Sequence, residues 1–184
     1  NAFLAAGHVC TIMGLEEYYP LVKKYKIPIV VTGFEPVDLL QGILITVQQL
    51  EEGKSILQNE YKRVVKPKGN RKAQELLTKI FQVKNREWRG IGTIEKSGFE
   101  LRPEFKKFDA NLKFKINITK APENSDCISG LVLKGIKKPK ECSQFGKKCT
   151  PESPLGAPMV SSEGACAAYY HFSAFQTSEV NSTI

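Results

Sequence analysis

Short apolar runs alternate with helically spaced apolar positions over the first hundred residues. Phe3 to Ala6 is a compact apolar run that stops at Gly7. Ile27 to Thr32 is a β-branched run that stops at Gly33. Both are expected as buried strands of a parallel sheet. Between them Glu16 to Tyr25 is expected as a helix, with Pro20 leaving the position of its start open. Glu35 at the cap, Pro36 at the first helical position and Asp38 in the first turn open a longer helix. Its apolar residues Val37, Leu40, Ile43, Leu44 and Val47 cover a broad face, and Gly53 is a natural stop. Residues 61–65 are expected as a strand. Asn70 caps a further helix through Ala73, Leu76, Leu77, Ile80 and Phe81, and Ile91 to Ile94 is one more short strand. This alternation predicts an α/β fold with a layered, largely parallel sheet over residues 1–117.

Past Asn117 the pattern changes. From Ile118 to Pro158 no apolar stripe persists, and Gly, Pro, Ser and Lys dominate. A run of about 40 residues without regular structure is rare in a compact domain unless something other than a core orders it. Four of the five cysteines, Cys127, Cys142, Cys149 and Cys166, fall in residues 118–184. This second region is therefore expected to be irregular or helical and organised around those thiols.

Composition narrows the classes. The chain has 184 residues, 41% of them hydrophobic and 25% charged, which is enough for a true core. It holds no apolar run of about 18 residues, so no membrane partner is expected. Asn1-Ala2-Phe3-Leu4 has the pattern of a strand interior, and the chain is expected to be part of a longer polypeptide. Net charge is +8, and nine lysines against three acids lie between Leu112 and Thr150. Aromatics suited to stacking on bases are scarce there, so no nucleic-acid partner is expected. The chain contains no Gly-x-Gly-x-x-Gly, Walker-type or Gly-x-Ser-x-Gly motif.

Three kinds of chemistry suit the four cysteines. Disulfides need an oxidising compartment, whereas the aliphatic α/β part resembles a cytoplasmic domain. Structural zinc usually shows Cys-x-x-Cys knuckles, which are absent here. An iron–sulfur cluster takes four thiolates and can draw them from separated loops; the intervening gaps here are 14, 6 and 16 residues. Ser161 or Ser162 is expected to cap a helix that places Cys166 near its positive end, which favours a thiolate. A second candidate site lies beyond the first two strands, where open α/β sheets bind ligands. There His8, Cys10, Glu35 and Asp38 are expected to face one cleft. A thiol-redox enzyme using Cys10 and a zinc-stapled interaction module are the alternatives to a cluster protein.

Several stretches resemble the HypD family of [NiFe]-hydrogenase maturation factors. They are Gly7-His8-Val9, Gly33-Phe34-Glu35-Pro36-Val37-Asp38, Asn59-Glu60-Tyr61-Lys62-Arg63, Trp88-Arg89-Gly90, Phe108-Asp109-Ala110 and Cys149-Thr150-Pro151-Glu152. The most specific is the stretch from Met159 to Tyr170, which includes Ser161-Ser162-Glu163-Gly164-Ala165-Cys166. The resemblance implies two related α/β domains followed by a region with a [4Fe-4S] cluster. This chain would be the second domain, residues 1–117, plus the cluster region, residues 118–184. The implied ligands are Cys127, Cys142, Cys149 and Cys166. The implied role is a cytoplasmic scaffold on which, with a HypC-like small protein and a HypE-like cyanide donor, iron receives its cyanide and carbon monoxide ligands. The family's Cys-Gly-x-His-x-His segment, which bears the iron-associated thiol near the N-terminus, is absent from this sequence. Where the family has Pro before Gly-His-Val this chain has Ala6, and where it has Cys-x-Cys-Gly this chain has Cys127-Ile128-Ser129-Gly130.

Overall fold

The computed structural model describes residues 1–115 and 126–173, which form two compact units, Asn1–Phe81 and the residues from Gln82 onward. The boundary expected after residue 117 lies outside the described residues.

The first unit is an α/β layer, as the alternation predicts. Its strands β1 (Phe3–Ala6), β2 (Ile29–Thr32) and β3 (Leu57–Asn59) pair in parallel in the order β1-β2-β3. The register sets Phe3 beside Ile29, Ala6 beside Thr32 and Val31 beside Asn59. Central β2 is buried along its whole length. This explains its β-branched run, since a middle strand between helices has no solvent face.

Helices α1 (Gly7–Met13) and α2 (Tyr18–Tyr25) connect β1 to β2, and α3 (Pro36–Glu51) connects β2 to β3. Pro20 sits in the first turn of α2, where a missing N–H costs nothing, and Lys26 ends the helix at φ 51°. Ala5, Cys10, Leu15, Val22, Ile29, Val31 and Val65 form the core.

Four features depart from the sequence reading. Gly7 does not merely end β1; it begins α1. That short helix lacks a side-chain cap, and its last turn is held instead by α4 (Arg71–Ile80). The Asn70 N–H at 3.0 Å and the Gln74 amide at 2.7 Å both donate to the Ile12 carbonyl. Second, the strand expected at residues 61–65 lies earlier, at β3. Asn59 ends it by accepting from the Tyr61 N–H and donating to the Val65 carbonyl, both at 3.0 Å, which turns the chain.

Third, α3 has the expected span but packs with its other side. Asp38, Gly42 and Gln49 are buried, whereas Val37, Leu40, Ile43, Leu44 and Val47 are exposed. Gly42 lets the helix approach the sheet, since a Cβ there would lie 3.1 Å from Thr32 Cβ. Fourth, the segment at Ile91–Ile94 joins no parallel sheet. It belongs to a hairpin of β4 (Phe81–Trp88) and β5 (Gly92–Leu101), joined through Arg89, Gly90 and Ile91. The connection is too short for a parallel crossover. Trp88 Nε1 donates to Ser97 Oγ at 2.8 Å, and Gln82 and Lys84 both reach Glu100 at 2.8 Å.

After the hairpin come a 3₁₀ turn at Pro103–Phe108 and α5 (Ala110–Phe114), capped by the Asp109 side chain. Beyond the undescribed stretch lie α6 (Ser129–Leu133), a 3₁₀ turn at Pro139–Glu141, α7 (Ala157–Val160) and α8 (Ala165–Phe172). The region is irregular with short helices, in keeping with its composition. No described helix is long and apolar enough to cross a membrane.

The hairpin tip rests on α6 through two glycines. Gly90 has φ 76°, and a Cβ on Gly130 would run into the Gly90 carbonyl. Gly130→Ala should therefore destabilise this unit by about 1–3 kcal/mol through overpacking, read as a lowered urea midpoint. An unchanged midpoint would show that the tip is free to lift away.

Candidate metal centre

Cys127 lies just before α6, Cys142 follows the Pro139–Glu141 turn, Cys149 closes the next turn, and Cys166 is the second residue of α8. All four line one small pocket with Ile128, Val132, Phe145, Pro158 and Met159. Among the described residues, no carboxylate or imidazole is part of its lining. All four thiols are free of disulfides.

Local geometry makes this convergence possible. A tight turn brings Cys142 and Cys149 together: the Cys149 N–H donates to the Gln144 carbonyl at 2.9 Å, and the Gly146 N–H donates to the Cys149 carbonyl at 3.0 Å. Gly146 has φ 69° in that turn. The Lys138 N–H donates to Glu141 at 2.6 Å and so caps the preceding 3₁₀ turn. Gly156 leaves space for Cys127, because a Cβ there would sit 2.5 Å from its sulfur. Gly164 lets α8 start against α7, since a Cβ there would strike the Pro158 carbonyl. Met159 and Ala167, each 1% exposed, and Cys149 form the small core beneath.

The cap of α8 differs from the sequence reading. Gly164 is the N-cap residue, and Ser161 Oγ instead accepts the Glu163 N–H at 3.2 Å in the turn before it. Nor does the helix end make Cys166 a thiolate. Burial, then the neighbouring sulfurs of Cys149, Cys127 and Cys142, push its pKa up to about 11. Four sulfurs in an apolar pocket cannot all be anionic unless a cation joins them. Among the described residues, the Leu155 N–H donates to Cys149 Sγ at 3.4 Å, and the Cys142 thiol donates to the Asp126 carbonyl at 3.9 Å.

Among the described residues, no group of three or more His, Cys, Asp or Glu side chains is poised to hold a single metal ion. The described donors that line the pocket are thiols alone, and Gly156 leaves room for one of the sulfurs. Soft thiolates of this kind suit an iron–sulfur cluster as they suit zinc.

The second candidate site is only partly assembled. His8 is exposed and rests against Phe34, with ring centroids 4.9 Å apart. Glu35 and Asp38 are joined by Arg63, a residue the sequence reading placed in a strand. Its guanidinium grips buried Asp38 at 2.7 and 2.8 Å and exposed Glu35 at 3.0 Å. The hydrogen bonds from Arg63 hold the Asp38 carboxyl below its ordinary range.

Tyr61 lies under Arg63, with the guanidinium carbon 4.5 Å from the ring centroid. The same ring passes close to Gly7 and Gly33, where added Cβ atoms would meet it at 2.5 and 2.8 Å. Three of the family-like stretches therefore meet at the carboxyl edge of the sheet. Cys10 does not join them. It is fully buried in α1, its thiol lies 3.8 Å from the Tyr18 hydroxyl, and burial raises its pKa. Gly156 carries no local signal of its part in the pocket, because that part depends on the distant Cys127 segment.

A family model described as the Hydrogenase formation hypA family, HypD, matches residues 1–173. Hydrogenase maturation factor HypD1 of Bradyrhizobium diazoefficiens is 42% identical over 94% of this chain and 46% of its own length. Hydrogenase maturation factor HypD of Cupriavidus necator is 39% identical over 96% of this chain and 47% of its own. A putative hydrogenase expression/formation protein of Methanocaldococcus jannaschii is 42% identical over 94% and 48%. The chain thus spans about half the length of the curated relatives it matches.

Two measurements test these sites. The Asp38 pKa is lowered on folding, so its share of stability is present above the unfolded value of about 3.9 and fades as pH falls through the folded one. Asp38→Asn should flatten the acid limb of a urea-midpoint-against-pH curve; an equally steep limb would show that Asp38 contributes nothing to it. Iodoacetamide at pH 8 should label Cys10 at least about tenfold more slowly in the native chain than in urea. Equal rates would mean that the thiol is accessible.

Proposed function

The chain belongs to the HypD hydrogenase formation family, and from that premise we propose that it is the cluster-bearing part of a hydrogenase maturation factor, with Cys127, Cys142, Cys149 and Cys166 holding a [4Fe-4S] cluster. The observation that carries this reading is the convergence of four thiols from separate segments on one pocket without competing ligands. When bound, the cluster supplies one-electron chemistry.

The chain's own residues do the rest. Each of the four sulfurs must lose its proton to bind, and burial beside the other sulfurs pushes the Cys166 pKa up to about 11 before loading. The Leu155 N–H donates a hydrogen bond to Cys149 Sγ at 3.4 Å and so orients that sulfur. Met159, Phe145 and Val132 keep water off the sulfurs, which keeps the local dielectric low and the ligands' surroundings fixed. Lys134, Lys138, Lys140, Lys147 and Lys148 lie on the segments between the first three cysteines, as does Lys137, which pairs with Glu141. Their charge offsets that of an anionic cluster and suits an acidic electron donor.

In this reading the chain is an assembly scaffold rather than an enzyme in its own right. Its partners are a HypC-like small protein and a HypE-like cyanide donor, and the product is an Fe(CN)2CO unit. The cargo iron is held mainly through the Cys-Gly-x-His-x-His segment that this sequence does not contain. A cytoplasmic setting, where thiols stay reduced, suits five free cysteines. The alternative of a thiol-redox enzyme acting through Cys10 gains nothing from a thiol sealed in the core with a raised pKa. A zinc-stapled module uses the same four thiols, and metal analysis separates it from the cluster reading.

Anaerobically prepared protein should be brown, with about four irons and matching sulfide per chain. Stoichiometric zinc without iron would overturn the reading. Cys142→Ser should lose most of the iron, and a variant with full iron content would remove Cys142 from the ligand set.

A further inference from the structure

Residues 143–148 join two of the candidate ligands, Cys142 and Cys149, and form one wall of the sulfur pocket. The inner side of that wall is Phe145, which lines the pocket. Its outer side carries Gly146, Lys147 and Lys148, all exposed. Tyr170 of α8 completes the outer side. Its ring is 37% exposed and meets the Phe145 ring edge-on, with centroids 6.2 Å apart. A Cβ on Gly146 would lie 3.9 Å from the same tyrosine ring. The wall therefore has a small apolar centre with two lysines beside it, and a single aromatic side chain separates that centre from the pocket.

Charge on this side is uneven. Residues 134–149 hold six lysines and one acid. That acid, Glu141, is already taken by Lys137 Nζ at 2.8 Å and the Lys138 N–H at 2.6 Å. Asp126 also reaches the wall, where the Gln144 amide donates to its carboxylate at 3.4 Å. Among the described residues no carboxylate pairs with Lys147 or Lys148. A basic run by itself is ordinarily a solvated face. This one differs because two of its unpaired cations flank an apolar centre directly over the sulfur pocket, which is the make-up of a small docking surface.

We propose that residues 143–148 together with Tyr170 are the electron-entry face of this chain. An acidic one-electron carrier protein docks there with its carboxylates against Lys147 and Lys148, and one electron crosses Phe145 to the cluster. The carrier is oxidised by one electron and the cluster is reduced by one; no bond forms or breaks. The proposal rests on the cluster reading above and adds where its donor binds. Electron transfer slows steeply with distance, so a face one side chain from the pocket gives a fast route. Encounters of this kind are small and are steered by charge.

The test uses the full chain loaded anaerobically with iron and sulfide, and reduced flavodoxin, an acidic flavin protein, as the probe carrier. Cluster and flavin absorbance are followed by stopped flow at about 20 and about 500 mM salt. Reduced methyl viologen, a small cation, serves as the donor that needs no basic face. The parent should accept electrons from flavodoxin at least about tenfold faster at low salt than at high salt. Lys147→Glu/Lys148→Glu should lower the low-salt rate at least about tenfold, and Lys147→Gln/Lys148→Gln by an intermediate factor. Lys23→Glu/Lys24→Glu, the same charge change on α2 of the first unit, should stay within about twofold of the parent. Methyl viologen should reduce no variant more slowly than the parent. Calorimetric binding of oxidised flavodoxin should weaken in the same order as the rates.

A parent rate indifferent to salt would overturn the docking face. Equal slowing by the Lys23 and Lys24 pair would do the same, since net charge alone would then explain the effect. Equal slowing with methyl viologen would also refute it, because the cluster and not the docking would have changed. If the glutamate pair does not fold, the glutamine pair decides: a rate equal to the parent's removes the face. A parent chain that takes up no iron would instead overturn the cluster reading itself.

Discussion

Mutual repulsion among four sulfurs is the constraint on which the second unit depends. Bringing Cys127, Cys142, Cys149 and Cys166 to one apolar pocket leaves two stable conditions: neutral thiols, or thiolates around a cationic centre. The raised pKa of Cys166 is the trace of the first condition: burial is its largest cause, and the sulfurs of Cys149, Cys127 and Cys142 follow. The surrounding structure adds little that would hold the pocket without them. Its helices run from four to eight residues, too short to persist alone, and its small core consists of Met159, Ala167 and Cys149. A group that binds all four thiolates would supply the cohesion that apolar burial does not.

The first unit is organised differently, around a packed parallel sheet and one charged cluster at its carboxyl edge. Arg63 arrives from the turn after β3 and ties together the start of α3 through Asp38 and Glu35, while Tyr61 lies across the two glycines that end β1 and β2. Bulk at either glycine would push Tyr61 away and take Arg63 with it. Family-like stretches that are far apart in the chain are thus parts of one physical object. Cys10 lies behind this object and serves the core.

Strand runs in the first unit were legible because a buried parallel strand requires a continuous apolar segment, and Ile29–Thr32 has one. The span of α3 was legible from Pro36 and Gly53 for similar local reasons. Its packing face was not. Periodicity marks an apolar stripe but cannot say that Gly42 allows closer approach than leucine does, so the sheet takes the small-residue side. The short helix α1 was hidden because its carbonyls are satisfied by Asn70 and Gln74, some sixty residues away. β3 was displaced because the Asn59 side chain, not a hydrophobic pattern, sets where the strand ends.

By itself the sequence determined the α/β class, the unusual character of the cysteine-bearing segment and the identity of the four thiols, because residue type and spacing carry those properties directly. Tertiary structure alone decided that the thiols share a pocket, that Gly156 and Gly90 make room there for Cys127 and Ser129, and that Arg63 rather than His8 or Cys10 binds the two carboxylates. The physical reason is range. Strand and helix propensities act over a few residues, whereas the approach of a sulfur to another segment's α-carbon depends on how distant pieces of chain exclude one another.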